Sequence, residues 1–281
     1  MQTGIAAIVV TFHTGPRLRE CLHALISQEG ISEIVIVDNG NPEQMVSWLE
    51  TFAARKSSDK KQVRYLQTRE NIGFGSAVNL GAMQARSKHL LIINPDCVMR
   101  PDALAPLMEA AETLGSPWIV GGRIFSLDGR AQHGPQRREL TLRRLFSRIV
   151  GGAGINMPLS PQPDDAIRVD VISGAFFLID RAGFDQIGGF DEHYFLHVED
   201  IDICKRVHLA GGNVRYQPRA GALHYGATSD VSKLKVERFK AAGFAHYFRK
   251  FSTGPVQRIA AELSIPVIYA ALMVRAALGG R

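Results

Sequence analysis

Carboxylate side chains follow two apolar runs in the first half of the chain. Asp38 ends the run EIVIVD, and Asp96 comes two residues after the run LLIIN. An ionised carboxylate accepts hydrogen bonds without donating any, and it is a preferred ligand of Mg²⁺ and Mn²⁺. If both runs are parallel strands, their carboxyl ends open into one crevice, where ligands bind in such sheets. The pattern indicates a site for a cation or a polar ligand; the alternative is that each acid caps the following helix.

A further acidic cluster lies in the second half of the chain, in the segment EDID at 199–202. A helix is expected from about Glu199 to Gly211, so these acids would occupy its first turn, where the helix dipole favours the ionised form. Carboxylates can act as general bases when a hydroxyl group loses its proton. The alternative is a solvated helix start without a chemical role.

Apolar runs and helical segments alternate through the first half of the chain. Strands are predicted at 5–12, 33–40, 62–68 and 89–94, and helices at 16–27, 42–55 and 75–86. Nearly continuous apolar strands separated by helices predict a parallel sheet covered on both faces, and right-handed crossovers make it doubly wound. The carboxyl edge of this sheet would carry Thr11, Phe12, Asp38, Asn39, Arg69 to Gly73, and Asn94 to Asp96.

The second half differs in composition. Residues 127–168 are rich in Gly, Pro, Gln and Arg, and they predict a long mobile loop. Within it, TLRRLFSRIV at 141–150 predicts a short basic amphipathic helix. A strand is expected over 169–179.

The segment from 231 onward is predicted to be helical. Its apolar run 263–274 follows a basic stretch made of Lys233, Lys235, Arg238, Lys240, Arg249, Lys250 and Arg258. Basic residues beside an amphipathic apolar segment favour docking on an anionic membrane leaflet. The alternative is that this tail packs on the rest of the chain or forms a dimer contact.

Composition limits the class of protein. The 281 residues are 46% apolar and 21% charged, which suits a globular α/β chain of one domain or two small ones. The net charge of +6 suits phosphorylated ligands, anionic lipid or nucleic acid without choosing among them. Three scattered cysteines predict neither a zinc site nor a disulfide framework, and they favour a reducing cytoplasm. No signal peptide is expected, and the run 263–274 falls short of the roughly 20 residues that span a bilayer.

Several ordered blocks resemble the inverting family-two glycosyltransferases of GT-A fold: VVTF, VDNG, ENIGFGSAVNLG, INPD, SGAFFLIDRAGFDQIGGFDEHYFLHVEDIDICKR and HYGATS. The segment DGRAQHGPQRRELTLRRLF, with HVEDIDIC, is most similar to the bacterial rhamnosyltransferase branch, whose members use dTDP-L-rhamnose and lipid-linked acceptors. The resemblance implies a doubly wound mixed α/β sheet with a Rossmann-like nucleotide-binding half. It implies a catalytic domain over 1–230, with nucleotide-sugar binding at about 1–110 and acceptor binding and the base at about 111–230, followed by a helical tail at 231–281.

The resemblance also implies a donor site. Asp96 would bind Mg²⁺ or Mn²⁺, which neutralises the donor diphosphate, and His224 would reach the metal or the diphosphate. The family's Asp-X-Asp motif reads Asn94-Pro95-Asp96 here, so one carboxylate is missing, and Asn94 is expected near the ribose. The other implied donor contacts are Thr11 and Phe12 under the base, Asp38 on the ring N–H of uracil or thymine, Arg69 near phosphate, and Ser173 and Gly174 near the sugar. Asn39 is also expected to bind the donor, as are Asn71 and Gly73, which open the third crossover helix.

In the same resemblance Asp200 matches the base that takes the proton of the acceptor hydroxyl. Glu199 would orient the acceptor or the base, and Asp202 would be a structural acid of the first helical turn. A single displacement inverts the anomeric centre, so β-linked dTDP-L-rhamnose would yield an α-L-rhamnoside.

The implied function is metal-dependent transfer of a sugar during synthesis of a cell-surface glycan such as cell wall, O-antigen of lipopolysaccharide, or exopolysaccharide. The expected partners are a dTDP- or UDP-sugar, a polyprenyl-diphosphate-linked acceptor, and the inner leaflet of the cytoplasmic membrane, with the protein peripheral on its cytoplasmic face. A nucleotidyltransferase acting on sugar phosphates and a different hexosyl donor stay open as alternatives. No nucleic-acid partner is expected, because the aromatic residues fall mainly in apolar runs.

Overall fold

The computed structural model describes residues 2–132, 136–149, 151–152, 154–159, 161–226 and 232–278. The strands are β1 (Gln2–Thr11), β2 (Ile31–Asp38), β3 (Gln62–Gln67), β4 (Ser87–Ile93), β5 (Cys97–Met99), β6 (Trp118–Phe125), β7 (Gln136–Arg137), β8 (Ile167–Arg168), β9 (Val171–Ile172), β10 (Phe176–Asp180) and β11 (Asn213–His224). The helices are α1 (Arg17–Ser27), α2 (Glu43–Lys56), α3 (Phe74–Gln84), α4 (Leu104–Ala111), α5 (Leu142–Ile149), α6 (Arg181–Gln186), α7 (Glu199–Leu209), α8 (Lys233–Lys250) and α9 (Pro255–Ala277).

The main sheet is mixed, with the strand order β3-β2-β1-β4-β10-β6-β11-β5. Strands β3, β2, β1 and β4 are parallel, whereas β10 runs antiparallel to both of its neighbours. Because β1 to β4 run the same way, their carboxyl ends meet at one edge, and the loops that follow them lie there together. The predicted α/β doubly wound mixed sheet is confirmed.

Helices cover both faces of the sheet. Alternate residues of β1 belong to two separate buried clusters, Ile5, Ala7 and Val9 on one face and Ala6, Ile8 and Val10 on the other. Since successive side chains of a strand point to opposite faces, both faces of β1 are buried. Helices α1, α2 and α4 supply the first cluster, and α3, α7, α8 and α9 supply the second.

The strand expected over 169–179 is in fact two strands. β9 leaves the main sheet and pairs with β7, whereas β10 enters the main sheet between β4 and β6. Ser173 and Gly174 lie between the two strands and belong to neither, so their backbone is not paired with another strand. The prediction of one strand was wrong because strand length depends on pairing partners that are far away in sequence, and the local apolar pattern does not identify them.

The C-terminal helices pack on the rest of the protein. Ala241, Phe244 and Tyr247 of α8 and Ile268 and Leu272 of α9 belong to the same buried cluster as one face of the sheet. Apolar side chains contribute about 1.5–3 kcal/mol each when they are fully buried, so this contact holds the tail firmly. The inner side of both helices therefore packs on the rest of the chain, which is one of the two alternatives to membrane docking.

The three cysteines, Cys21, Cys97 and Cys204, are free and buried. Burial raises the pKa of the Cys204 thiol to about 12, and it raises the pKa values of the other two thiols as well. These groups are therefore neutral thiols at physiological pH.

Candidate active site

A cleft of about 1300 Å³ opens at the carboxyl edge of the parallel strands. The predicted site residues in its wall are Phe12, Asn39, Asn71, Gly73, Asn94, Asp96, Ser173, Gly174, Glu199, Asp200 and His224. They come from the loops after β1, β2, β3, β4 and β9, from the start of α7 and from the end of β11, so the fold brings together residues that are about 200 positions apart. A cleft of this size accommodates a drug-sized or larger ligand.

Three predicted site residues lie outside the cleft wall: Thr11, Asp38 and Arg69. Thr11 and Asp38 are fully buried behind the wall, and Arg69 is exposed in the loop that precedes α3. Arg69 does not line the cleft, whereas the next two residues, Glu70 and Asn71, do.

Asp38 fixes the loop after β2. Its Oδ1 accepts hydrogen bonds from the backbone N–H groups of Gly40 (3.0 Å) and Asn41 (2.8 Å) and from the Asn41 side chain (2.8 Å), and its Oδ2 accepts one from the Tyr65 hydroxyl (2.7 Å). A carboxylate has about four acceptor sites, so these four donors nearly saturate it. Contact between Asp38 and a pyrimidine base stays a prediction.

Asn39 and Asn71 tie the loop after β2 to the loop before α3. The Asn39 side chain donates to Asn71 Oδ1 (2.9 Å) and to the Gly73 carbonyl (3.1 Å), while Asn71 Oδ1 also accepts from the Gly73 N–H (3.0 Å). Gly73 has φ = +87°, and a Cβ there would lie 2.7 Å from the Phe195 carbonyl oxygen. Only glycine fits at this point, where the loop of Phe195 packs closely against the start of α3.

Asp96 and His224 meet because β5 pairs with β11. The antiparallel register places His224 opposite Cys97, the residue after Asp96. His224 Nε2 lies 3.3 Å from Asp96 Oδ1, and Asp96 Oδ2 accepts a hydrogen bond from the Gly226 N–H (3.0 Å). The potential ligand atoms of Asp96, Cys97 and His224 all lie within 4.8 Å of one another.

These donor atoms suit a divalent cation. A carboxylate and an imidazole are ligands that Mn²⁺ accepts. The Cys97 thiol suits a softer metal, but burial raises its pKa well above 9.0, so it is a neutral thiol and a poor ligand. The residues present therefore fit Mg²⁺ or Mn²⁺ at Asp96 and His224, with the remaining ligands left to substrate oxygens and water.

Asp200 lies at the other side of the cleft, in the first turn of α7. Its Oδ2 accepts hydrogen bonds from the Gly174 N–H (3.1 Å) and from the guanidinium of Arg137 in β7. The helix begins after two non-glycine residues with positive φ, His197 (+69°) and Val198 (+75°). Such strained backbone recurs at functional sites, where the surrounding structure holds it in place.

Glu199 is buried beside Asp200, with 7% of its surface exposed. Burial, and then the negative charge of Asp200, raise the pKa of Glu199 to about 8, so its carboxyl is protonated at neutral pH. No described residue forms a hydrogen bond with Glu199 Oε2. An unfolded glutamate ionises near 4.5, so this burial destabilises the fold increasingly as pH rises from 4.5 to about 8.

Asp202 belongs to the structural framework under the cleft. It is fully buried, and it bonds Arg206 (2.6 Å) in its own helix and Lys250 (2.6 Å) in α8. This agrees with the expectation of a structural acid in the first turn. The Lys250 ammonium group also pairs with Asp191 (2.6 Å), so two carboxylates neutralise it.

Sequence reasoning missed Arg137, which bonds Asp200 although it does not line the cleft, and several residues of the cleft wall. Arg137 lies in the segment that was predicted to be a mobile loop. Nothing in the sequence distinguishes it from the other arginines of that segment, so its contact with the site could not be predicted. Phe195 and Phe239 stack with ring centroids 4.2 Å apart in the cleft wall. The tail contributes Lys233, Lys235, Glu237 and Arg275, which no local motif identifies because α8 and α9 reach the cleft only through tertiary packing.

The arrangement separates two kinds of chemistry within one cleft. Asp96 and His224 can hold a cation, and Asp200 offers a carboxylate that is fixed by a backbone N–H and a guanidinium. Between them lie Ser173 and Gly174, whose backbone leaves room for a ligand. Such a site can hold a charged leaving group at one end and accept a proton at the other.

Known proteins resemble this chain in sequence. Residues 6–188 match the family described as glycosyl transferase family 2. The chain is similar to N-acetylglucosaminyl-diphospho-decaprenol L-rhamnosyltransferase of Mycobacterium tuberculosis, with 28% identity over 244 residues that cover 80% of this chain and 77% of that protein. It is also similar to rhamnosyltransferase WbbL of Escherichia coli, with 28% identity over 162 residues that cover 54% of this chain and 61% of WbbL.

Among solved structures, the fold resembles that of GalNAc-T7, crystallised with UDP, GalNAc and Mn²⁺. The TM-score is 0.64 at 14% identity, and the match covers 98% of this chain and 57% of the GalNAc-T7 chain. At this identity the likeness concerns the fold alone.

Proposed function

The chain belongs to glycosyl transferase family 2 and is a glycosyltransferase of GT-A-type fold, and we propose that it transfers L-rhamnose from dTDP-L-rhamnose to a lipid-diphosphate-linked acceptor. The observation that carries the proposal is the pair of carboxylates, Asp96 and Asp200, in the wall of one cleft. The 28% identity to the mycobacterial L-rhamnosyltransferase supports the choice of sugar and of acceptor class.

In the proposed reaction the acceptor hydroxyl attacks the anomeric carbon of the donor. Asp200 takes the hydroxyl proton, the new carbon–oxygen bond forms, and the bond from the anomeric carbon to the diphosphate breaks with its electron pair on the nucleotide. A divalent cation, held by Asp96 and His224, would supply charge neutralisation for that diphosphate. One displacement inverts the configuration, so a β-linked donor gives an α-L-rhamnoside.

Glu199 and Arg137 support the base in this proposal. Protonated Glu199 places no second negative charge beside Asp200 at neutral pH, and it can donate a hydrogen bond to the acceptor. Arg137 and the Gly174 N–H fix the direction of the Asp200 carboxylate. Such positioning lowers the barrier because the base need not reorient as the proton leaves.

A panel of nucleotide sugars tests the donor. The full chain is mixed with dTDP-L-rhamnose, a UDP-hexose or a GDP-hexose, each with and without Mn²⁺, and its thermal midpoint and donor hydrolysis are measured. We expect dTDP-L-rhamnose with Mn²⁺ to raise the thermal midpoint most, because the proposed donor should bind most tightly. A ligand at 100 times its Kd stabilises the fold by about 2.7 kcal/mol. A larger increase of the thermal midpoint with a UDP-sugar would identify that UDP-sugar as the donor instead of dTDP-L-rhamnose. Release of pyrophosphate from dTTP and rhamnose 1-phosphate would instead support a nucleotidyltransferase.

We also propose that α9 docks the protein on the cytoplasmic leaflet. Among the helices in the described part of the chain, α9 is long and apolar enough by length and composition to cross a membrane, although its run 263–274 alone is too short. Its inner side packs through Ala261, Ile268 and Leu272. The opposite side is an exposed apolar stripe, made of Val256, Ile259, Leu263, Pro266, Val267, Ala270, Val274, Ala277 and Leu278.

The geometry favours a helix lying in the membrane surface. One side of α9 packs on α8, and the stripe faces outward over the whole length of the helix. Leu263 is 72% exposed and Leu278 is 80% exposed, an arrangement that water disfavours and that lipid stabilises. Arg143 and Arg148 of α5, which contacts α9, are exposed and add positive charge for anionic lipid. Lys240 is partly buried, and burial lowers its pKa, so its contribution to this surface is small.

Two charges placed in the stripe should release the protein from vesicles. We expect Leu263→Asp with Val267→Asp to lower partitioning onto phosphatidylglycerol-containing vesicles at least tenfold, because two apolar contacts become buried carboxylates beside anionic lipid. Sedimentation with vesicles measures the bound fraction. The matched control is Met83→Asp, an equally exposed apolar residue of α3 outside the stripe. Equal binding of all variants would show that another surface contacts the membrane.

A further inference from the structure

Three cations of the C-terminal helices lie in the wall of the cleft: Lys233 and Lys235 of α8 and Arg275 of α9. The carboxylate that faces them from the same wall is Glu237, which pairs with Arg275 (2.6 Å). The tail therefore brings a net positive charge into the cleft. Lys233 and Lys235 are exposed, so their ammonium groups are available to a ligand that enters from solvent or from a membrane.

Helix α8, which carries Lys233 and Lys235, packs against the turn that leads to Asp200, since a Cβ at Gly243 of α8 would lie 3.0 Å from the Val198 side chain and 3.1 Å from the His197 carbonyl oxygen. The imidazole of His197, three residues before Asp200, is influenced by the charges of Lys240, Asp200, Glu237 and Arg137, and its pKa is lowered to about 4, chiefly by burial. Phe239 of α8 stacks on Phe195, which precedes His197 in the same loop. The tail thus adjoins the base, where an acceptor must enter, whereas the pair of Asp96 and His224 would hold the donor diphosphate.

The apolar stripe of α9 reaches the same place. Val274 and Leu278 of the stripe flank Arg275, and Arg275 and Ala276 line the cleft. A water-soluble sugar acceptor would require neither the cations nor the exposed apolar surface beside them. A ligand with an anionic head and an apolar chain matches both, since its head can pair with the cations while its chain follows the stripe into lipid.

We propose that Lys233, Lys235 and Arg275 bind the diphosphate of a polyprenyl-diphosphate acceptor, with the polyprenyl chain leaving along Val274 and Leu278. This proposal rests on the proposed function, because it names the acceptor subsite of the same cleft. It adds that the tail forms part of the acceptor site, so membrane docking and acceptor binding use two sides of one helix.

Binding of farnesyl diphosphate to the full chain tests the subsite. We expect Lys233→Ala with Lys235→Ala to raise the Kd for farnesyl diphosphate about tenfold or more, since loss of even 1.4 kcal/mol of charge pairing gives tenfold. Farnesyl monophosphate should bind the wild type more weakly and respond less to the substitutions. The matched control is Arg238→Ala, an exposed cation of α8 outside the cleft wall, which should leave the Kd unchanged.

A second variant separates lost binding from lost folding. Arg275→Gln keeps a polar side chain of similar length, and we expect it to weaken farnesyl diphosphate binding while the thermal midpoint reports any damage to the pair with Glu237. An unchanged Kd in the folded double variant would overturn the proposal. Loss of dTDP-L-rhamnose binding with unchanged farnesyl diphosphate binding would also overturn it and would assign the cations to the donor.

The acceptor subsite and the proposed function fail separately in this design. If the wild type does not bind dTDP-L-rhamnose, and the lysine substitutions weaken the binding of farnesyl diphosphate, the choice of donor is wrong and the subsite stands. If the donor binds with Mn²⁺ and farnesyl diphosphate binds all variants equally, the transferase proposal stands and the subsite is wrong.

Discussion

Asp200→Asn is expected to lower the rate of sugar transfer by about 10²–10⁴-fold, the usual contribution of a general base. The amide has nearly the same shape and can still accept the Gly174 N–H bond, but it cannot take the acceptor proton. The fold and donor binding should persist, because Asp200 lies in a cleft wall and its neighbour Asp202 carries the buried contacts of this turn. Single-turnover transfer and donor Kd, measured side by side, separate the two effects.

The control for this variant is Asp165→Asn, the same change at an exposed position outside the cleft wall. Glu199→Gln distinguishes between the two neighbouring carboxyls, since glutamine resembles the protonated form that Glu199 has at neutral pH. Full transfer by Asp200→Asn, together with loss of transfer by Glu199→Gln, would move the base to Glu199.

Asp96→Ala is expected to weaken Mn²⁺-dependent binding of the donor by about 100-fold or more. Even the residues that orient a metal ligand typically contribute 10–100-fold, and Asp96 would be a ligand itself. The effect should be large because, in the proposed site, Asn94 stands where the family motif has a second acid, which leaves Asp96 as the carboxylate that would bind the metal. Titration of the donor with and without Mn²⁺ measures the difference between the two affinities.

Asp102→Ala is the matched control for Asp96→Ala, because Asp102 is 66% exposed in the turn after β5. Asp96→Asn serves as a second variant, since the amide can still accept the Gly226 N–H bond that fixes the end of β11. If Asp96→Ala and wild type bound the donor equally with Mn²⁺, the cation would lie elsewhere in the cleft.

The strands and their polar ends could be predicted from the sequence because both depend on local pattern. Runs such as LLIIN are apolar at every position, which is typical of a strand buried on both faces, and the next polar residues then mark the sheet edge. This reasoning placed Asn39, Asn94 and Asp96 at the cleft, as the structure does. It failed for Arg69, which is exposed, whereas Glu70 and Asn71 line the cleft and the hydrogen bonds of Asn71 fix the loop there.

The rest depends on pairings between distant segments. Strand β10 enters the main sheet antiparallel to β4, whereas β9, a few residues earlier, pairs with β7 in a second sheet. No local sequence pattern predicts this division. Arg137 reaches Asp200 only because β7 pairs with β9. The tail lines the cleft because buried residues of α8 and α9 join the core of the sheet. Asp38 shows a different limit, since its position was predicted but its four internal hydrogen bonds were not.

The buried cysteines make motion of the C-terminal helices measurable. Only a thiolate reacts quickly with maleimides and similar probes, and Cys21, Cys97 and Cys204 are both inaccessible and neutral. A cysteine introduced at exposed Met83 and another at exposed Leu263 would therefore take up a fluorophore pair while the native thiols stay unlabelled. Energy transfer between these labels would then report whether α9 shifts against the sheet when the enzyme meets lipid or acceptor.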